Sequence, residues 1–392
     1  MSDPARSWVA HLRSGGSTPW AEWLRSPGPA GGYDGPVPGA AQLELVRRLA
    51  GARPAGVADA AFTTLADRAL RRSGVGRGQP DLPLLVPGRT TAPGVGAPPT
   101  DPADVPVDEL LRIAVGLLAD VVVEAGPLPA RTLPQRRLLP RRRFHLAGAP
   151  VSVDALRTSL AAAGEVEGGW SPEVLLVVRP LDVHLAEVWS TRVQHGAPVR
   201  WGTFAGRWAR RDVLPPSADF PRIAAHWAGK VGPSRVHVLV DPTLADAARL
   251  VGLRRAPAAA RDGFDVHALP PAGTELLRRL NRVLNVRVRD DEREGLVRRA
   301  RALLPARAAA PLALPEPYRA WAERRAEEVA ATLRAGGYPV HGDLAGIAPR
   351  HLGAAAPRRS EVLSAALETC LVLAAADGAG GRPSRGAEGT ER

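Results

Sequence analysis

Between Phe144 and Gly164 the sequence reads FHLAGAPVSVDALRTSLAAAG, and it sets a short apolar run, Phe144 to Ala147, against Gly148. A helix then opens after Pro150 and carries Val153, Leu156 and Leu160 on one face. Strand, tight turn and helix in that order aim first-turn N–H groups and the positive end of the helix dipole at one spot, which favours an anion. Ser152 adds a hydroxyl donor there. The turn has no lysine and no Gly-Lys-Thr or Gly-Thr-Thr run, so the scaffold of phosphate binding stands without its usual side chains.

Other residues suggest chemistry with less support around them. His184 is a candidate general base, or a hydrogen-bonded helix histidine. His145 lies inside the apolar run, as a base or as a packed strand residue. His341-Gly342-Asp343 has the spacing of a metal pair, but no third ligand sits beside it at helical or hairpin spacing, so a structural loop and no metal are expected. Gly74-Val75-Gly76-Arg77-Gly78 follows a helical pattern rather than a strand, which reads as a helix C-cap and not a dinucleotide fingerprint. Arg136-Arg137 with Arg141-Arg142-Arg143 is the strongest charge cluster, either a phosphate-binding patch or a solvated linker. Trp189, Trp201, Trp208 and Trp227 fall at helical spacings with other apolar residues and read as packing.

The elements that must position these residues differ between the two halves. Residues 1–78 read as a helical N-terminal region, with a start at Thr18-Pro19-Trp20 (a capping hydroxyl, then proline) and helices over about Ala41–Ala50 and Ala58–Arg72. Residues 79–107 are a Pro/Gly-rich linker, and 108–143 hold a buried helix followed by an Arg/Pro-rich connection. Leu110–Val123 is apolar nearly all round, so something apolar must cover it. From 144 to 350 strand and helix alternate, with Val174–Val178 and Val236–Val240 as buried strands, which implies a parallel sheet. A C-terminal helix over 360–376 and a disordered tail over 377–392 follow. The fold class is therefore α/β, a small parallel sheet with many helices, preceded by a mostly helical region.

Composition narrows the partners without naming one. The formal net charge is +12, and Lys230 is the single lysine among 52 basic residues, a bias expected of GC-rich codons. The charge favours an anionic nucleotide or small molecule, and nucleic acid is disfavoured because no recognised binding motif surrounds the arginines. Cys370 is the lone cysteine, inside an apolar run, which excludes a disulfide framework and reads as a small buried hydrophobe. The N-terminus has no signal-like apolar core, and the most apolar windows are too short for a membrane span and carry Asp120 and Glu368. A soluble, cytoplasmic chain without membrane contact is the expectation.

Taken in order, FHLAGAP with its helix, VLLVVRPLDVHLAEVWSTRVQHG, WAGKVGPSRVHVLVDPT with LADAARLVGL, ELLRRLNRVL and AWAERRAEEVAATLRAGGYPVHGDL cover about 144–349. This half resembles the sulfotransferase-like proteins of actinobacteria, as a divergent member. The resemblance implies a P-loop-like strand order and a site for 3′-phosphoadenosine 5′-phosphosulfate (PAPS). It places Gly148 and Ser152 in the phosphate loop and Arg179 on the cofactor's 3′-phosphate, with strand-end pairing to Asp182 as the alternative for Arg179. His145, His184 and Asp154 are the nearest candidates for the base that such transfer needs. The family's lysine and threonines give way to Val151-Ser152-Val153-Asp154-Ala155, and its later serine to Ala186 and Glu187. The expected function is a sulfotransferase-like protein with a degraded PAPS site in a binding or scaffold role. The alternatives are an active PAPS-dependent transferase acting on a carbohydrate or small hydroxylated metabolite, and an Arg-rich nucleic-acid-associated protein.

Overall fold

The structure is a computed structural model and describes residues 3–28, 32–72, 82–87, 97–129, 143–252, 269–304 and 312–379. Its first elements are helices α1 (Pro4–Arg13), α2 (Trp20–Arg25), α3 (Ala40–Gly51), α4 (Asp59–Arg71) and α5 (Val107–Ala125). Strand β1 (Phe144–Gly148), helix α6 (Pro150–Ala162) and strand β2 (Glu173–Val178) come next. Helices α7 (Leu181–Gln194), α8 (Trp201–Ala209) and α9 (Phe220–Val231) lead into β3 (Val236–Val240). After them come α10 (Leu244–Leu250), α11 (Pro271–Arg287), α12 (Asp290–Leu303), α13 (Arg319–Ala335), β4 (Val340–His341) and α14 (Arg359–Ala379). Two compact units result, Met1–Leu128 with Val283–Pro305 and Arg359–Arg392, and Pro129–Arg282 with Ala306–Arg358.

The first unit is helical. The apolar surface of α5 buries side chains on every side, including Leu110, Leu111, Ile113, Leu117, Leu118 and Val122, and its main partner is α14. From α14, Val362, Leu363, Ala366, Leu367, Cys370 and Leu371 are buried in turn. That pairing supplies the apolar cover that α5 requires. Cys370 is a free, buried thiol, and burial pushes it up to about 12, so it packs as a hydrophobe. Asp120, the one carboxylate in the middle of α5, is held by Arg72 and Arg287. The start of α2 differs from the sequence expectation. Pro19 is itself the residue before the first helical turn, and Thr18 spends its hydroxyl on the His11 ring 3.0 Å away.

The second unit is built on a sheet of order β1-β2-β3-β4, every neighbouring pair parallel. The first three strands fall where short, continuous apolar runs predict them. The fourth is two residues long, too short to show a pattern, and it joins the sheet because Val238 N–H donates to Pro339 O at 2.9 Å. One face carries Phe144, Leu146, Leu175, Val177 and Leu239 against α6 and α10. On the other, α9 packs across β1, β2 and β3. Trp189 and Trp201 are buried and donate to Val199 O and Ala313 O, as packing residues should, whereas Trp208 and Trp227 are only half-buried. Gly74–Gly78 and Arg136, Arg137, Arg141 and Arg142 lie outside the described residues, as does the tail beyond Ala379.

The turn between β1 and α6 depends on glycine. Gly148 has φ +107°, and a Cβ there would lie 2.0 Å from Val177 O, the carbonyl that accepts from Ala149 N–H at 3.0 Å. Both the backbone conformation and the close approach of β2 exclude a side chain. Gly148→Ala is expected to lower unfolding free energy by more than ~2 kcal/mol in urea titration. An unchanged midpoint would show that this turn does not need glycine.

Candidate functional site

The carboxyl ends of parallel strands are where open α/β sheets place their ligands, because loops diverge there and helix N-termini face the gap. In this protein that edge collects Gly148 after β1, Arg179 after β2 and Asp241 after β3. Helix α6 begins at Pro150, whose missing N–H suits the first helical position, so Val151 and Ser152 present the free first-turn donors.

Those donors are already taken. The Glu187 carboxyl, from α7, accepts from Val151 N–H at 3.2 Å and Ser152 N–H at 3.5 Å through Oε2. Its Oε1 faces the Ser152 hydroxyl at 3.2 Å. Arg179 Nη1 reaches the same hydroxyl at 3.5 Å, and its Nε pairs with Asp241 Oδ1 at 3.0 Å. Asp241 in turn binds Arg350, and it sits in the left-handed region at φ +45°, a conformation aspartate tolerates at a strand end. Asp182 is occupied with backbone: Val183 N–H donates to Oδ1 at 3.0 Å, and Arg350 and His351 N–H donate to Oδ2 at 3.1 and 2.7 Å. Ser152, Arg179, Asp182 and Glu187 are all buried.

The structure thus brings Gly148, Ser152 and Arg179 to one edge of the sheet, around an internal carboxyl group. Asp154, a candidate base from the resemblance, lies on the exposed side of α6 with Arg157 Nη1 3.9 Å away. The acidic side chain on the helix N-terminus is Glu187, which the sequence marked only as replacing a serine. Asp241 and Arg350 were not singled out, since nothing local marks a residue whose partner lies more than 100 positions away.

The two histidines separate. His184 is fully buried, donates from Nε2 to Ser217 O at 2.9 Å and packs edge-on to Phe220. Burial, assisted by the Arg179 charge, pulls it down to about 4, so it is a neutral structural histidine. His145 sits at the amino end of β1, away from this cluster, with Nδ1 3.4 Å from Glu167 Oε1 and its ring against Trp227. His341 contacts His237 Nδ1 at 3.1 Å, while Asp343 caps the following turn at Ala345 N–H, so the two do not form a pair. Among the described residues no three His, Cys, Asp or Glu side chains are grouped to hold a metal. None of the described helices is long and apolar enough to cross a membrane.

No protein-family model, no curated protein and no solved structure matches this chain.

Burial pushes Glu187 up to about 7, against the opposing pull of Arg179 and of its hydrogen bonds to Ser152 and Val151. The group is protonated in the folded chain over a range where the unfolded chain, at 4.5, has ionised. Its contribution to stability is complete below 4.5 and is lost as pH rises to about 7. His184 acts in the opposite sense, losing stability as pH falls from 6.5 to about 4, so the two slopes offset each other where they overlap. In Glu187→Gln the Glu187 slope disappears. The stability of that variant relative to wild type is expected to rise by ~1.4 kcal/mol per pH unit from 4.5 to about 7, read from urea titrations across that range. A difference independent of pH would mean that Glu187 ionises normally in place.

Proposed function

We propose that this protein is a non-catalytic relative of the sulfotransferase-like group, with a P-loop-like strand order, whose nucleotide-phosphate site is closed by its own carboxyl group. Its α/β unit then serves in binding or as a scaffold. The observation that carries this reading is Glu187 on the Val151 and Ser152 N–H groups at the start of α6. A strand-turn-helix of this kind presents its donors to a phosphate, and a carboxyl group there occupies the same donors with the same polarity.

Three further observations support it. The segment between β1 and β2 holds one helix, α6, with no room for a substrate-binding insertion. The lysine that would neutralise charge on a departing phosphate is replaced by Val151. Arg179, the remaining cation of the expected site, is paired with Asp241. The residues present therefore do not fit PAPS. An incoming phosphosulfate would have to displace Glu187 and strip Arg179 from its partner, with no lysine to compensate.

Isothermal titration of the full chain with PAPS and with 3′-phosphoadenosine 5′-phosphate is expected to give no saturable heat. Transfer from labelled PAPS to a metabolite extract is expected to be absent as well. Micromolar binding that vanishes in Arg179→Ala, or measurable sulfate transfer, would overturn the reading in favour of an active transferase.

A further inference from the structure

The amino end of β1 carries a second feature, independent of the carboxyl edge. An open groove of about 520 Å³ lies there, with His145, Trp170, Ser171, Pro172, Trp227 and Lys230 in its walls. Its volume falls within the range of small-molecule sites. Trp170 is 77 % exposed, and an indole left in water on a rigid loop is a site waiting for an apolar face.

The loop is rigidly built. Gly168 N–H donates to Phe144 O at 3.0 Å and Glu173 N–H to Arg143 O at 2.9 Å, so both ends of 168–173 are tied to the chain beside β1. Arg235 Nη1 bonds the Ser171 hydroxyl at 2.8 Å. Gly169, at φ +95°, lets the Arg143 side chain pack against it. The groove is therefore preformed, which lowers the ordering cost of binding.

Charge selects the ligand. Lys230, the single lysine of the chain, holds its ammonium 5.0 Å from the centre of the Trp227 ring, and the His145 ring lies 4.3 Å from the same indole. The carboxylates that flank the 168–172 loop in the chain are already engaged, Glu167 by Arg157 and Leu146 N–H, and Glu173 by His237. The walls are otherwise largely apolar, with Ser171 and His145 already in hydrogen bonds or ion pairs. A sugar would leave most of its hydroxyls without partners. A neutral ligand would desolvate the ammonium without return, and a cation would be repelled.

We propose that this groove binds a small aromatic anion, its ring stacked on Trp170 and its acidic group at Lys230. The single lysine provides a direct probe. Reductive methylation with ¹³C-formaldehyde keeps the charge and gives one lysine signal, told from that of the terminal amine by its absence in Lys230→Gln. Titrating the methylated full chain with 1-naphthoate is expected to shift the Lys230 signal saturably at sub-millimolar concentration. Titration calorimetry on the unlabelled chain is expected to show about tenfold weaker binding for 1-naphthalenemethanol, for glucuronate and for naphthoate with Lys230→Gln. Trp170→Ala is expected to abolish the naphthoate shift; both side chains are exposed, and circular dichroism checks that the variants remain folded. No saturable shift with naphthoate, a shift unchanged in Trp170→Ala, or equal or tighter binding of 1-naphthylmethylamine or glucuronate would overturn the proposal.

Discussion

A buried carboxyl group resting on the first turn of a helix organises the carboxyl edge of this sheet. Glu187 satisfies two N–H groups and a hydroxyl at the start of α6, which would otherwise be buried without partners next to β2. Orphan donors at a helix start cost free energy unless something accepts from them. In phosphate-binding folds the ligand accepts, and the apo site relies on water. Here α7 provides the acceptor, so α6, α7 and the strand ends are joined without any ligand. The Arg179–Asp241–Arg350 chain extends the same closure across β3. Polar groups at this edge thus contact one another directly.

The other end of β1 follows a different logic. As the outer strand of the described sheet, β1 has backbone groups with no neighbouring strand on one side, and edges of this kind need cover. Glu167 provides part of it by accepting from Leu146 N–H at 2.7 Å, and Gly168 provides more through its bond to Phe144 O. Tying the 168–173 loop to the strand in this way raises Trp170 into solvent and leaves a walled gap beneath it. Protection of the edge and formation of the groove are one arrangement. The two ends of a five-residue strand thus differ in kind, one closed by an internal acid and the other open beside the Lys230 ammonium on the Trp227 ring.

Much of the fold was legible in the sequence because local rules govern it. Short β-branched apolar runs mark Val174–Val178 and Val236–Val240, and Gly148 before Pro150 marks the turn into α6. The apolar circumference of α5 announces that another apolar element must cover it. The hidden parts were those with little local signal. β4 is two residues long, and Thr18 finds His11 rather than a helix end. Trp227 shows the same limit: helical spacing suggests packing, yet one face of its helix borders the groove, and only the loop at 168–172 decides that.

For the site, the sequence by itself determined the donors: a strand-turn-helix with Ser152, and Arg179 at a strand end. Glycine, proline and strand-forming residues act over a few positions, so their order alone specifies that geometry. Which acceptor fills the site was decided only by the tertiary structure. Glu187 lies 35 positions from Ser152, and Asp241 lies farther still along the chain from Arg179. Their meeting depends on how α7 and β3 pack beside α6, and burial then favours the neutral form of Glu187 against those donors.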